Sequence, residues 1–324
     1  MTLRRPSSAT LGIVPLVMLL ALAAGFRGLG PGRDYLGYLD AYEEIRLSDS
    51  LDVLRFEPGY VLASWVSKFG LGLDFPIFAS ALAASALFIK LWLFSQYSRP
   101  ILTILFYLCC WYPLHEYTQL RTAVALALCL FAAEVFFRGR YLQYALLMAT
   151  AMSFHSSSLI VALAIPGAYL LSRWNQLMSV SAIIFLAFGI YVLDLPLISL
   201  AAQINSLSEA YSENLDGSRV NLLSMANLLT AGLLAAMLAA RSLKDRRDAT
   251  YFILAAGALV SAVVLQSTPV LSHRVKEALL IFLTPIAFSG ELTMRSVPQY
   301  VFAATLAGWM LYSAVSQGIL GASP

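Results

Sequence analysis

The stretch Trp111–Arg121, W-Y-P-L-H-E-Y-T-Q-L-R, lies between two apolar runs, Ile101–Cys110 and Thr122–Phe137. Apolar runs flanking a short polar break are what neighbouring spans of a helical membrane protein look like in sequence. The break gathers His115, Glu116, Gln119 and Arg121 with the rings of Trp111, Tyr112 and Tyr117. Charged groups at the edge of a bilayer core are costly, and that cost is a reason to expect a function. Arg121 is the sharpest case, because an apolar run begins at the next residue. The plainer alternative is that Arg121 snorkels to the interface. On a helix Tyr117 and Arg121 would share a face.

The rest of the chain agrees with a membrane bundle. Its 324 residues would allow two soluble domains by length, but 60% are apolar, 12% are charged and the mean hydropathy is +0.76. Those values predict an all-α polytopic membrane protein, residues 1–324 forming a single integral membrane domain. A closed barrel would read as short alternating strands instead. The net charge of +3 is small and its basic residues are dispersed, which excludes a nucleic-acid patch. Cys109, Cys110 and Cys129 all sit in apolar runs, and with three dispersed histidines no metal-ligand spacing exists.

Candidate spans are Leu11–Phe26, Asp74–Phe94, Ile101–Leu114, Thr118–Phe137, Tyr141–Phe154, Ser157–Leu171, Gln176–Leu195, Leu222–Ala240, Thr250–Thr268, Val275–Gly290 and Val297–Gln317. They make roughly eleven, with Tyr141–Leu171 readable as two passages or one kinked passage. Residues 27–72 form the longest polar segment, expected outside the cytoplasm. Within it Tyr35, Tyr38 and Tyr42 recur at helical spacing, and Gly59–Gly70 is an amphipathic stretch too polar to cross alone. Arg4, Arg5, Arg99, Arg138, Arg140, Arg173, the Arg241–Arg247 cluster and Arg295 would lie in cytoplasmic turns if the N-terminus is inside. The outer side carries nearly as many cations but also nearly all the carboxylates, which points to paired or ligand-facing arginines. On this threading His115, His155, His273, Arg121, Arg274, Asp34 and Glu57 all fall at outer ends of spans.

Four further polar stretches could carry chemistry. Arg33-Asp34-Tyr35 follows a Gly-Pro-Gly break, and Glu57-Pro58-Gly59-Tyr60 opens the amphipathic stretch. Plainer alternatives are a helix cap for Asp34 and a simple turn at Glu57. Phe154-His155-Ser156-Ser157-Ser158 interrupts an apolar region, where a satisfied histidine in a polar kink is the plainer alternative. Ser272-His273-Arg274 stands at the mouth of another run. Two arginines, Arg121 and Arg274, entering from one side would suit a pyrophosphate, since each can fork onto phosphate oxygens. Salt bridges to Glu116, Glu57 or Asp34 are their alternative.

These motifs together resemble the EpsG-like family of bacterial polysaccharide polymerases, related in role to the Wzy-type O-antigen polymerases. The resemblance rests on Arg33-Asp34-Tyr35 with Tyr38, on Glu57-Pro58-Gly59-Tyr60 and on Gln119-Leu120-Arg121 heading an Ala-rich helix. Phe154-His155-Ser156-Ser157 and the later Arg274 complete it. Order and spacing agree from about Gly30 to Pro166, and Thr122 departs from the glutamine common after that arginine.

The resemblance implies a glycosyltransferase in the bacterial cytoplasmic (inner) membrane. It would join undecaprenyl-pyrophosphate-linked oligosaccharide units at the outer face, for O-antigen or exopolysaccharide biosynthesis. One unit's sugar hydroxyl attacks the anomeric carbon of another, and undecaprenyl pyrophosphate leaves. Such chemistry needs fixed positive charge for the leaving group, with Arg121 and Arg274 as candidates, and no metal or other cofactor is expected. It also needs a base, for which Glu57, Asp34 and His155 are candidates, with Glu57 favoured as base and His155 as orienter. Arg33, Tyr35, Tyr38, Tyr60, His115, Glu116, Tyr117, Gln119 and His273 are candidate substrate-binding residues, the tyrosines as platforms for sugar rings. Membrane lipid, a chain-length regulator and a flippase of the same pathway are the implied partners; nucleic acid is not. A lipid-linked oligosaccharide flippase and a membrane acyltransferase acting on glycans are the competing readings.

Overall fold

The computed structural model describes residues 8–27, 33–46, 56–175, 178, 181, 220–243, 245–266 and 268–319. Among them every regular element is helical. Backbone groups in hydrocarbon must be satisfied within their own segment, which helices achieve. Among the described residues three helices are long and apolar enough to cross a membrane by length and composition: α4 (Phe75–Phe94), α6 (Leu120–Phe137) and α10 (Arg246–Val264). Shorter apolar helices are α1 (Ser8–Gly25), α5 (Pro100–Cys110), α8 (Ser158–Leu171) and α9 (Met225–Ala240). The remaining helices are α2 (Arg33–Glu44), α3 (Pro58–Trp65), α7 (Tyr141–Phe154), α11 (Pro269–Leu280) and α12 (Val297–Ser316). The expected span Gln176–Leu195 falls almost wholly outside the described residues.

Local sequence explains most boundaries. Helices α3, α4, α5 and α11 begin with proline in their first two positions, where its missing N–H costs nothing and its fixed φ suits the helix. The expected span Ile101–Leu114 instead ends as a helix at Cys110 and continues as turns through Thr118. Pro113 is the cause, since its ring would clash with the carbonyl one turn earlier. Pro285 acts alike in the expected span Val275–Gly290. There α11 starts earlier, at Pro269, and gives way to a 3-10 turn, Ile281–Leu283, before buried irregular chain. The region Tyr141–Leu171 forms two helices, α7 and α8, with the break at His155–Ser157.

The chain divides into two compact units, one from Met1–Ala162 with Ala304–Pro324, the other from Leu163–Ala303. In the first unit α1 packs along α4, and α6 packs on both α4 and α7. Small residues allow this: Ala123, Ala125, Ala127, Ala132 and Ala133 of α6 are fully buried. Gly25 at the end of α1 lies so close to α4 that a Cβ there would overlap Ser80 Oγ and the Pro76 carbonyl oxygen. Within this core Lys90 of α4 and Glu116 of the Trp111–Thr118 turn form an ion pair at 2.6 Å, both fully buried. Lys90 also donates to Tyr107 Oη at 3.0 Å.

Helix α2 and the amphipathic stretch lock together. The stretch is α3 followed by a π-helical turn, Val66–Gly70. Lys68 Nζ donates to three carbonyl oxygens at the end of α2, those of Tyr42 (2.9 Å), Glu43 (2.7 Å) and Ile45 (2.9 Å). Those carbonyls have no partner within their helix, and the ammonium also suits the negative end of its dipole. Tyr42 Oη returns a bond to the Leu73 carbonyl oxygen at 2.7 Å.

In the second unit α10 packs against α11 and the 3-10 turn, with Tyr251 stacked on Phe282 at 5.5 Å. Arg246 covers the Tyr169 ring at 3.5 Å and donates to the Tyr169 carbonyl oxygen at 2.7 Å. The irregular chain after the 3-10 turn is held by Gln299, whose Nε2 donates to the carbonyl oxygens of Ala287 and Ser289.

Candidate active site

Glu57-Pro58-Gly59 places a carboxylate at the head of a helix without using it as a cap. Glu57 is the extended residue before α3, and its side chain makes no capping bond. Gly59 lies against the C-terminal end of α7: a Cβ there would stand 2.7 Å from the Ser153 carbonyl oxygen. Only glycine permits that approach, and the approach brings Glu57 to the end of α7, where His155 leaves the helix in an extended conformation. Glu57 Oε1 faces His155 Nδ1 at 3.2 Å and accepts from the Ser156 backbone N–H at 3.4 Å.

The second carboxylate oxygen, Oε2, accepts from Nη1 of Arg121, the second residue of α6. The salt-bridge alternative read from the sequence is therefore present for Arg121, with Glu57 as its partner. The guanidinium lies on Phe56, 4.3 Å from its ring centroid, and beside Tyr38 at 5.5 Å. Its Nε reaches Tyr38 Oη at 3.4 Å. Tyr38, Phe56 and Tyr60 pack on one another with centroids 5.4–5.6 Å apart. One carboxylate thus joins a guanidinium to an imidazole beside a wall of three rings.

Burial by itself raises the Glu57 carboxyl pKa, because it disfavours the charged form. The His155 hydrogen bond and the Arg121 charge outweigh it and hold the group at about 2. The carboxylate and imidazole side chains are only 15% and 4% exposed, so their pairing is little screened by water.

The other residues singled out in the sequence are placed elsewhere. Tyr35 is buried one turn from Tyr38 on α2; its Oη donates to the Gly25 carbonyl oxygen at 2.8 Å. Arg33 and Asp34 belong to the first turn of α2, and their side chains lie outside what is described. Glu116 is committed to Lys90, and His115 is fully buried and stacked on Trp111 at 5.3 Å. Tyr117 lies beneath Arg27 at 5.0 Å, and Gln119 precedes α6 without a side-chain cap bond. His273 and Arg274 belong to the second unit, on α11, where His273 Nε2 pairs with Glu277 at 2.8 Å. Phe56, Arg27 and Lys90 were not among the sequence-derived site residues. Lys90, a single cation inside an apolar run, was the readable signal among them.

Among the described residues no group of three or more His, Cys, Asp or Glu side chains is placed to hold a metal ion. Apolar helices together with a half-buried guanidinium–carboxylate–imidazole relay mark a multi-pass membrane protein. The chain belongs to the EpsG family, whose model matches residues 12–318, nearly its whole length. This is a Wzy-like family of polysaccharide polymerases. Neither a curated protein nor a solved structure matches the chain.

Proposed function

We propose that the protein joins lipid-pyrophosphate-linked oligosaccharide units by glycosyl transfer, at the outer face of the bacterial cytoplasmic membrane. The observation that carries this reading is the relay of Arg121, Glu57 and His155 against Tyr38, Phe56 and Tyr60. The acceptor's hydroxyl oxygen bonds to the donor's anomeric carbon, the bond from that carbon to the pyrophosphate oxygen breaks, and polyprenyl pyrophosphate leaves with the bonding electrons. Arg121 uses two of its nitrogens on Glu57 and Tyr38. A guanidinium has five N–H donors, so it still has Nη2 to offer the departing phosphate. The rings present flat apolar faces of the kind on which sugars stack.

The acceptor's proton goes to His155. With Nδ1–H donating to Glu57, the lone pair resides on Nε2, where it can accept that proton. A carboxyl group held at about 2 is too weak a base for a sugar hydroxyl at neutral pH. Its role is to orient the imidazole and stabilise the imidazolium. These roles reverse the sequence-based expectation of Glu57 as base and His155 as orienter.

The test is to incubate the purified protein with lipid-linked repeat units, with and without a metal chelator. A ladder of products in both conditions is expected. Absence of a ladder with intact lipid-linked substrate, or transfer of acetyl groups to glycan instead, would remove the polymerase reading.

A further inference from the structure

Arg27 follows the end of α1 and lies between two tyrosine rings, its Cζ 4.5 Å from the centroid of Tyr35 and 5.0 Å from that of Tyr117. Both rings are fixed from behind. Tyr35 donates to the Gly25 carbonyl oxygen and meets Phe75 edge-on at 5.1 Å. Tyr117 packs on Tyr112 at 6.3 Å, and Tyr112 Oη donates to the Leu20 carbonyl oxygen of α1 at 2.8 Å.

Arg121 is held in the same manner, on Tyr38 and Phe56. The two supports are neighbours. Tyr35 and Tyr38 are one turn apart on α2, a separation that puts side chains about 5–6 Å apart at Cβ. Tyr117 lies four residues before Arg121 in the chain that leads into α6. One tyrosine face of α2 therefore carries a guanidinium at each of two successive turns. A guanidinium resting on a ring keeps its plane, and its fork of N–H donors matches phosphate oxygens where an ammonium makes only a point contact.

We propose that Arg27 is a substrate-binding residue, the second guanidinium of a two-seat pyrophosphate site. Arg121, beside Glu57 and His155, takes the phosphate attached to the sugar, where the bond breaks. Arg27, at the end of α1, takes the phosphate attached to the lipid. The proposal rests on the polymerase reading for its substrate, but a pyrophosphate seat can be measured without any polymerisation.

The experiment titrates inorganic pyrophosphate and, separately, orthophosphate onto the purified full chain in detergent micelles, by calorimetry. Two seats predict that wild type prefers pyrophosphate at least ~10-fold, the equivalent of one added charge-assisted fork. Arg27→Gln should lose that preference and bind pyrophosphate and orthophosphate about equally, through Arg121. Arg27→Lys keeps a cation on the rings and guards against a folding defect. It should lower the preference at least ~3-fold, because the planar fork is gone. An unchanged preference in either variant, or no preference in wild type, overturns the two-seat site. Failure of the polymerase reading shows separately, as a missing product ladder with the pyrophosphate preference intact.

Discussion

Glu57 and His155, 98 residues apart in the chain, meet at 3.2 Å between Oε1 and Nδ1. The carboxylate's other oxygen is held by Arg121, so one side chain sets both the imidazole and the guanidinium. Roles can then be separated by mutation. His155→Gln should lower the polymerisation rate by about 10²–10⁴-fold, the range for loss of a general base. Glu57→Gln should retain slow turnover, since the imidazole remains. At equal membrane abundance, a faster His155→Gln than Glu57→Gln would return the base to Glu57.

The low pKa of Glu57 makes a statement about acid stability. Its folded-state value, about 2, lies below the ordinary 4.5, so ionised Glu57 stabilises the fold fully above pH 4.5. That contribution is lost as pH falls from there towards 2. Thermal unfolding of wild type and Glu57→Gln in detergent should therefore show a gap that closes as pH falls from about 4.5 towards 2. A gap that fails to close over that range would contradict the paired carboxylate.

Gly59 sets the distance between α3 and α7. Gly59→Ala should destabilise the protein by about 1–3 kcal/mol, as overpacking does. Because the added methyl pushes on the Ser153 carbonyl, it should also part Glu57 from His155 and slow turnover beyond what lower abundance explains. Normal activity per folded molecule would show that the close approach is not needed for the relay.

The buried pair Lys90–Glu116 predicts non-additivity. Lys90→Met leaves a carboxylate in the core without its cation and should cost about 3–5 kcal/mol. Lys90→Met combined with Glu116→Gln removes both charges and should recover most of that loss. Unfolding temperatures of the two single variants and the double variant measure the coupling directly.

Helix α7 decides the placement of the site relative to the membrane. With Cys109, Cys110 and Cys129 first replaced, Arg140→Cys should react with an impermeant thiol reagent only from the cytoplasmic side. Ser156→Cys should react only from outside. Labelling of both from one side would show that α7 does not cross, and would remove the outer-face site.

Much of the site was legible because polar residues in an apolar chain stand out. Gln119-Leu120-Arg121 and Phe154-His155 each broke a hydrophobic run, Glu57-Pro58-Gly59 opened an amphipathic stretch, and Glu57 now touches both Arg121 and His155. What periodicity could not convey was the joining of these breaks, which depends on a glycine facing a backbone carbonyl at Gly59–Ser153. Helical spacing did give the Tyr35–Tyr38–Tyr42 face, but not that Arg27, Arg121 and Lys68 would each lie by one of its rings. The helix ends at Cys110 and Leu280 were misplaced because hydropathy continued past them while Pro113 and Pro285 ended the hydrogen-bond ladder.

The ammonium of Lys68, closed over the last carbonyls of α2, has an evolutionary corollary. It ties α2 to the turn beyond α3, so Tyr38 on α2 and Glu57 at the head of α3 share one anchor. A lineage that lost this lysine would need a compensating bond between the same two elements to keep the tyrosine wall beside the carboxylate.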